Sequence, residues 1–229
     1  MNTLIIGASG GIGKKLVDDL IGSSDNLLLG YNSNKLPNES LRVDARDFES
    51  VKTFVMQGQD KFGSIDAVVN LPGSLILKPA HKCTEEEFTS TIETNLKSAF
   101  AVVRSVGELL ENCSVVLMST AAASIGLANH ELIACAKAGI EGLTRSAAKT
   151  YARKNIRFNT VSPGLVDTQL TKNITKNKLA LKASERMHAL QRIGKPKNIS
   201  NMIRFLIDQE NDWITGQNFI VDGGLSSTK

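Results

Sequence analysis

A chain of 229 residues with 41% hydrophobic and 22% charged residues can bury one large core without metals or crosslinks, which excludes a disordered or disulfide-stapled chain. The formal net charge of +4 is spread along the sequence, and one Trp, two Tyr and eight Phe offer little for base stacking, so nucleic acid is excluded as a partner. Cys83, Cys113 and Cys135 stand far apart with no Cys/His ligand spacing, which reads as reduced thiols and no metal site.

Met1 leads directly into "NTLIIGASGG" with no basic or apolar leader, and no window reaches the roughly eighteen apolar residues of a membrane span, so the sequence reads as cytoplasmic, with no membrane partner. In chain order, seven apolar runs are candidate strands: "TLIIG" (3–7), "NLLLGY" (26–31), "SLRVD" (40–44), "IDAVVN" (65–70), "SVVLMS" (114–119), "IRFNTVS" (156–162) and "NFIVDGG" (218–224). Helical period is carried between them by Ile12–Ile21, Phe48–Lys61, Glu85–Leu110, Leu132–Arg153 and Lys197–Asp208. Strands apolar on both faces, alternating with helices, predict an α/β fold: one doubly wound parallel sheet with helices on both faces and right-handed crossovers. No linker or repeat interrupts it, so residues 1–229 form a single domain. The irregular region Asp167–Ile193 has two readings, a mobile substrate flap over a site or a solvated amphipathic helix.

"LIIGASGGIGKKLVDDL" places Gly7, Gly11 and Gly13, with Ser9 and Ile12 among them, between the first strand and the first helix. A tight strand-to-helix turn needs a residue with positive φ, a pyrophosphate needs a missing Cβ, and the helix N-terminus offers N–H groups to phosphates, so the turn points to a dinucleotide. Selection for NAD requires a carboxylate at the end of the second strand, where it binds the ribose hydroxyls and repels a 2′-phosphate. Here Asn32, Ser33, Asn34 and Lys35 stand there instead, which favours NADP(H) over NAD(H). Asp25 precedes the strand and is not expected to interfere.

Several motifs follow in one order: Gly-x-x-x-Gly-x-Gly, Asp44 in "VDARD", "NLPG" at Asn70–Gly73, Asn95 in "TNLKSAF" and "SPGLVDT" at Ser162–Thr168. Together they resemble the short-chain dehydrogenase/reductase family. The stretch from "RIGKPKNIS" to "FIVDGG" is similar to its β-ketoacyl-carrier-protein reductase branch. Leu71 and Pro72 depart from the family's Asn-Asn-Ala-Gly.

The resemblance implies a Rossmann-type fold of about seven strands. It implies Asp44 near the adenine, Asn70 and Gly73 beside the cofactor, and Pro163, Gly164 and Thr168 against the nicotinamide. It also implies hydride transfer on a small carbonyl or hydroxyl compound or an acyl thioester. A homotetramer is expected, built through the helices at Glu85–Leu110 and Leu132–Arg153 and the C-terminal "VDGGLSSTK".

The family's acid is a Tyr four residues before a Lys, with a Ser holding the substrate oxygen and an Asn supporting a proton relay. This chain keeps Asn95, Lys137 (which also binds the cofactor ribose) and a hydroxyl at Thr120 with Ser119 beside it, but Ile133 occupies the Tyr position. Tyr and Lys at i, i+4 share one helix face, which is how the ammonium favours phenolate. Tyr31 and Tyr151 lie elsewhere. Loss of a positioned general acid costs about 10²–10⁴ in rate.

His130, with Asn129 as helix N-cap and Glu131 in the first turn, is the candidate replacement acid, against the plainer reading of a surface histidine at a helix start. Cys135 lies about 200° around the helix and points away. Two functional readings stand: an impaired oxidoreductase using His130, Thr120 or water, or a non-catalytic nucleotide-binding subunit or sensor forming a hetero-oligomer with an active family member.

Overall fold

The computed structural model describes residues 1–21 and 26–228. Over them run β1 (Asn2–Ile6), β2 (Asn26–Tyr31), β3 (Ser40–Arg42), β4 (Ala67–Asn70), β5 (Cys113–Met118), β6 (Ile156–Pro163) and β7 (Asn218–Val221). Asp25 lies outside the described residues, as does Lys229. The strands pair in parallel in the order β3-β2-β1-β4-β5-β6-β7. Chain order reverses direction between β1 and β4, and beyond the carboxyl ends of strands at such a point a crevice opens.

The helices are α1 (Gly11–Ile21), α2 (Phe48–Phe62), α3 (Glu85–Ile92), α4 (Ser98–Leu109), α5 (Glu131–Thr150), α6 (Lys172–Thr175), α7 (Lys178–Met187) and α8 (Pro196–Ile207). Successive strand side chains point to opposite faces, so Leu4 and Ile6 of β1 enter one core with Val68, Val115 and Leu117. Ile5 enters the other, with Val69, Val116 and Val161. The first core is covered by α2, α4 and α5 through Phe54, Val102, Val106 and Ile140, the second by α1 and α8 through Leu16, Leu20, Ile199 and Ile203. Burial on both faces is why the strands read as continuous apolar runs.

Four boundaries differ from the sequence reading. The single helix expected over 85–110 is α3 and α4 joined by a π-helical turn at Glu93–Lys97, whose extra residue leaves no Gly or Pro as a trace. The third strand stops at Arg42: Val43 N–H still donates to Tyr31 O, but Asp44 N–H turns to Ser50 Oγ at 3.0 Å. The helix expected over 132–153 is α5 followed by a 3₁₀ turn at Ala152–Lys154, stopped by Asn155 at φ +53°. At its start Asn129 has φ +64°, so it is not the N-cap; His130 takes that position, with no capping hydrogen bond from its side chain.

Candidate active site

β1 delivers the chain to Gly7, whose φ of +81° favours glycine. A Cβ on Gly13 would lie 2.5 Å from Gly7 O and 2.7 Å from Ala8 O, both backbone atoms, so α1 can pack this close to the turn only without a side chain there. On Gly11 a Cβ would meet Thr168 Cγ2 at 2.9 Å, so this glycine also makes room for the start of the 167–193 segment.

The turn forms one wall of a cleft of about 390 Å³ at the carboxyl ends of β1, β2 and β4. Gly7, Ser9, Gly11, Ile12 and Gly13 line that wall, and Asn32, Ser33 and Asn34 line the far end. Asp44 faces it from one side, Gly73 and Thr168 from the other. A tight glycine turn that packs without side chains at Gly7 and Gly13, at a helix N-terminus, fits a dinucleotide pyrophosphate. Asn70 ends β4 with its Oδ1 buried and unpartnered among the described residues. Asn70, Pro163, Gly164 and Lys137 are not part of this lining; Gly164 borders a second cavity of about 120 Å³.

Arg46, which sequence reasoning passed over, also lines the cleft. It donates to Asp44 from Nε at 2.9 Å and Nη2 at 2.8 Å, a two-pronged pair, and the guanidinium pulls the Asp44 carboxyl down to about 2. The carboxylate is therefore ionised and neutralised in place, and a guanidinium stands at the cleft edge. Its sequence signal was an Arg two residues after Asp44.

The residues expected to be catalytic lie beside the cleft, on the π turn, the end of β5 and the start of α5, close to the loop after β4. The π turn presents Asn95, whose Nδ2 donates to Thr91 O at 2.9 Å and Ser74 Oγ at 3.0 Å while its Oδ1 accepts from Ser74 N at 3.3 Å. Lys137 Nζ donates to Met118 O at 2.8 Å, and burial lowers its pKa to about 8. The Cβ position of Gly73 is 3.2 Å from Asn95 Oδ1 and 3.7 Å from Lys137 Nζ, so the glycine lets both approach the cleft wall. The structure thus brings Asn95, Lys137, Gly73 and Ser74 together.

Ile133 is 3% exposed, an apolar side chain packed on α5 one turn before Lys137. Thr120 Oγ1 donates to Pro163 O and accepts from Ala122 N, each at 3.4 Å. Ser119 Oγ donates to Glu141 Oε1 at 2.7 Å and lies 3.3 Å from Lys137 O. His130 Nδ1 bonds Ala128 O at 2.8 Å, which fixes its tautomer and leaves Nε2 as the remaining nitrogen. Cys135 is exposed, as its helix phase required.

Residues 167–193 fold as a 3₁₀ turn at Gln169–Thr171, then α6 and α7. Thr168, Gln169 and Leu170 border the cleft, while α7 buries none of its residues, leaving Leu181, Ser184 and Glu185 partly covered and Leu179 83% exposed. His188, also passed over by the sequence reading, is 2% exposed and ties the end of α7 to the exit of β6: Nδ1 bonds Ser184 O at 2.7 Å and Nε2 accepts from Leu165 N at 3.3 Å. No pattern in "RMHALQ" distinguishes such a histidine from a solvated one.

The model of a family described as enoyl-(acyl carrier protein) reductase matches residues 23–226. The chain belongs to the short-chain dehydrogenase/reductase family. It is 33% identical over 220 residues to the 3-oxoacyl-[acyl-carrier-protein] reductase FabG of Thermotoga maritima, covering 95% of this chain and 86% of the relative. Among solved structures, the aldohexose dehydrogenase of Thermoplasma acidophilum in ligand-free form superposes with a TM-score of 0.90 at 25% identity, over 99% of this chain and 94% of that one. ElxO with NADP bound also superposes at a TM-score of 0.90, over 99% and 98% of the two chains, and at 24% identity shows the shared fold alone. No helix among the described residues is long and apolar enough to cross a membrane. The family-level reading as a reductase-like oxidoreductase with a single seven-stranded parallel sheet therefore holds.

Proposed function

We propose that this chain binds NADP(H) in preference to NAD(H) and transfers hydride to or from a small carbonyl or hydroxyl compound, at a rate held down by the absence of the family's phenol. The observation that carries this reading is the pairing of an intact glycine cradle with a catalytic helix that keeps buried Lys137 but carries Ile133. Gly7, Ser9, Gly11, Ile12 and Gly13 hold the pyrophosphate, and Asn32, Ser33 and Asn34 receive the 2′-phosphate with Arg46 beside them. Asp44 serves the adenine end, and Asn70, Gly73, Pro163, Gly164 and Thr168 serve the nicotinamide end.

ElxO, with the same fold, is a protein that binds NADP. The bound cofactor supplies the hydride; everything else at the centre is done by side chains. Lys137 holds the ribose and a proton, Asn95 orients the loop at Ser74, and Thr120 and Ser119 fix the end of β5. His130, with Nδ1–H committed to Ala128 O, is a secondary candidate acid only as an imidazolium, through Nε2–H. The 167–193 segment serves as the substrate flap. As in the family's expectation, a homotetramer is the working assembly, in the cytoplasm, and an acyl thioester is the substrate class suggested by FabG.

Burial of Ile133 favours a second reading, a non-catalytic nucleotide-binding subunit or sensor assembled with an active family member. One experiment separates them. Titrating nicotinamide fluorescence should show saturable NADPH binding in the micromolar range, tighter than NADH, and the same sample should slowly reduce the N-acetylcysteamine thioester of acetoacetate. Binding without any turnover supports the second reading, and no binding of either cofactor refutes both.

A further inference from the structure

Three hydroxyls stand beside the catalytic helix, and the structure distinguishes them by what their protons do. Ser119 Oγ gives its proton to Glu141 Oε1 at 2.7 Å, with Lys137 O a second acceptor at 3.3 Å. Thr120 Oγ1 directs its proton at Pro163 O, 3.4 Å away, while accepting from Ala122 N. Ser74 Oγ accepts from Asn95 Nδ2 at 3.0 Å, and its own proton has no acceptor among the described residues. An acceptor-locked hydroxyl with an uncommitted proton is oriented to donate.

Ser74 stands next to the cleft without being part of its lining. Ser74 follows Gly73 in the chain and Asn95 follows Thr94, and both Gly73 and Thr94 line the cleft. The glycine between them brings Lys137 Nζ to within 3.7 Å of where a Cβ would stand. Asn95 grips Ser74 at both its N–H and its hydroxyl, so the loop is held by the residue that the π turn exists to present.

We propose, on the reading that this chain transfers hydride, that Ser74 is its oxygen-binding hydroxyl: it donates to the substrate oxygen in place of the missing phenol, oriented by Asn95 and resupplied by Lys137. In the reducing direction the carbonyl carbon gains a hydride from the reduced nicotinamide as the C=O π pair moves to oxygen. That oxygen takes the Ser74 Oγ proton, Ser74 Oγ takes a proton from the Lys137 ammonium, and the neutral amine is reprotonated by solvent. A serine hydroxyl is a weaker acid than a phenol, in keeping with a slow enzyme. The buried ammonium, with its pKa lowered to about 8, gives up a proton more readily than an exposed lysine would.

The test compares the parent with Ser74→Ala and Ser74→Thr, using NADPH and the N-acetylcysteamine thioester of acetoacetate. Ser74→Ala should lower kcat at least about tenfold with NADPH affinity within twofold of the parent, and Ser74→Thr should recover most of the loss. The parent's reduction rate should fall as pH rises through about 8, and that limb should vanish in Ser74→Ala. Independently of turnover, the product 3-hydroxybutyryl thioester should bind the NADP-loaded alanine variant about tenfold more weakly by calorimetry, the value of one well-placed hydrogen bond. Equal rates and equal product affinity in parent and Ser74→Ala overturn the assignment while leaving hydride transfer in place. A parent that binds no cofactor overturns the functional reading, and the assignment with it.

Discussion

The cleft and the group of side chains beside it are made of different material. The cofactor end rests on backbone: Gly7 at positive φ, Gly13 against two carbonyl oxygens, and the N-terminus of α1, with only the Asp44–Arg46 pair adding charge. The proposed catalytic group rests on single side chains, and on that reading one residue, Ile133, withholds a proton that Lys137, one turn on, and Asn95 would manage. A backbone cradle tolerates drift in the side chains around it, whereas a side-chain relay loses its function at one position. On the proposed function, binding and chemistry are therefore separable, and each can be damaged without the other.

The largest effect is expected where the cradle itself is filled. Gly13→Val forces a branched side chain against Gly7 O and Ala8 O, and should cost about 3 kcal/mol or more of stability and abolish NADPH binding, measured by denaturant unfolding and fluorescence titration. A variant that keeps both would show that the turn is not packed as described.

Arg46→Ala sharpens the charge component of the same end. Removing a guanidinium from the cleft edge also frees the Asp44 carboxylate, which then opposes a 2′-phosphate, so NADPH should weaken about tenfold and NADH less than twofold. Equal losses for the two cofactors would place Arg46 outside the selectivity of the site.

The smallest effect probes the catalytic end without any ligand. Folding lowers the Lys137 pKa from 10.5 to about 8, so between these values the unfolded chain binds more protons and stability rises with pH. Below about pH 8 the full penalty of a buried ammonium is present, at most roughly 3 kcal/mol. Lys137→Met should thus raise the Tm most at pH 7 and progressively less toward pH 10. A gain independent of pH would mean that the amine is already neutral or solvated.

Much of this division was legible in the sequence. Strands buried on both faces announce themselves as apolar runs, and Gly7, Gly11 and Gly13 stand out because few other residues serve such a turn. The expectation of a missing phenol was equally direct, since the resemblance places it four residues before Lys137, where the sequence has Ile133. Relations made by tertiary contact were not legible. The π turn at Glu93–Lys97 has the composition of ordinary helix, Arg46 became part of the site only by reaching back to Asp44, and His188 reads as a surface residue until α7 folds it against Leu165. Ser74 carried no motif; its significance lies in which hydrogen bonds it makes and which it leaves unmade.

The separability of the two ends is tested most directly by Ile133→Tyr, with NADPH affinity and thioester reduction measured on the same preparation beside the parent. A phenol there shares a helix face with Lys137 one turn on, so on the proposed reading reduction should rise at least about tenfold while the NADPH dissociation constant stays within twofold. A variant that binds NADPH as the parent does yet turns over no faster, with an unchanged Tm showing that the ring is accommodated, would contradict the claim that position 133 limits the chemistry and leave the non-catalytic reading in its place.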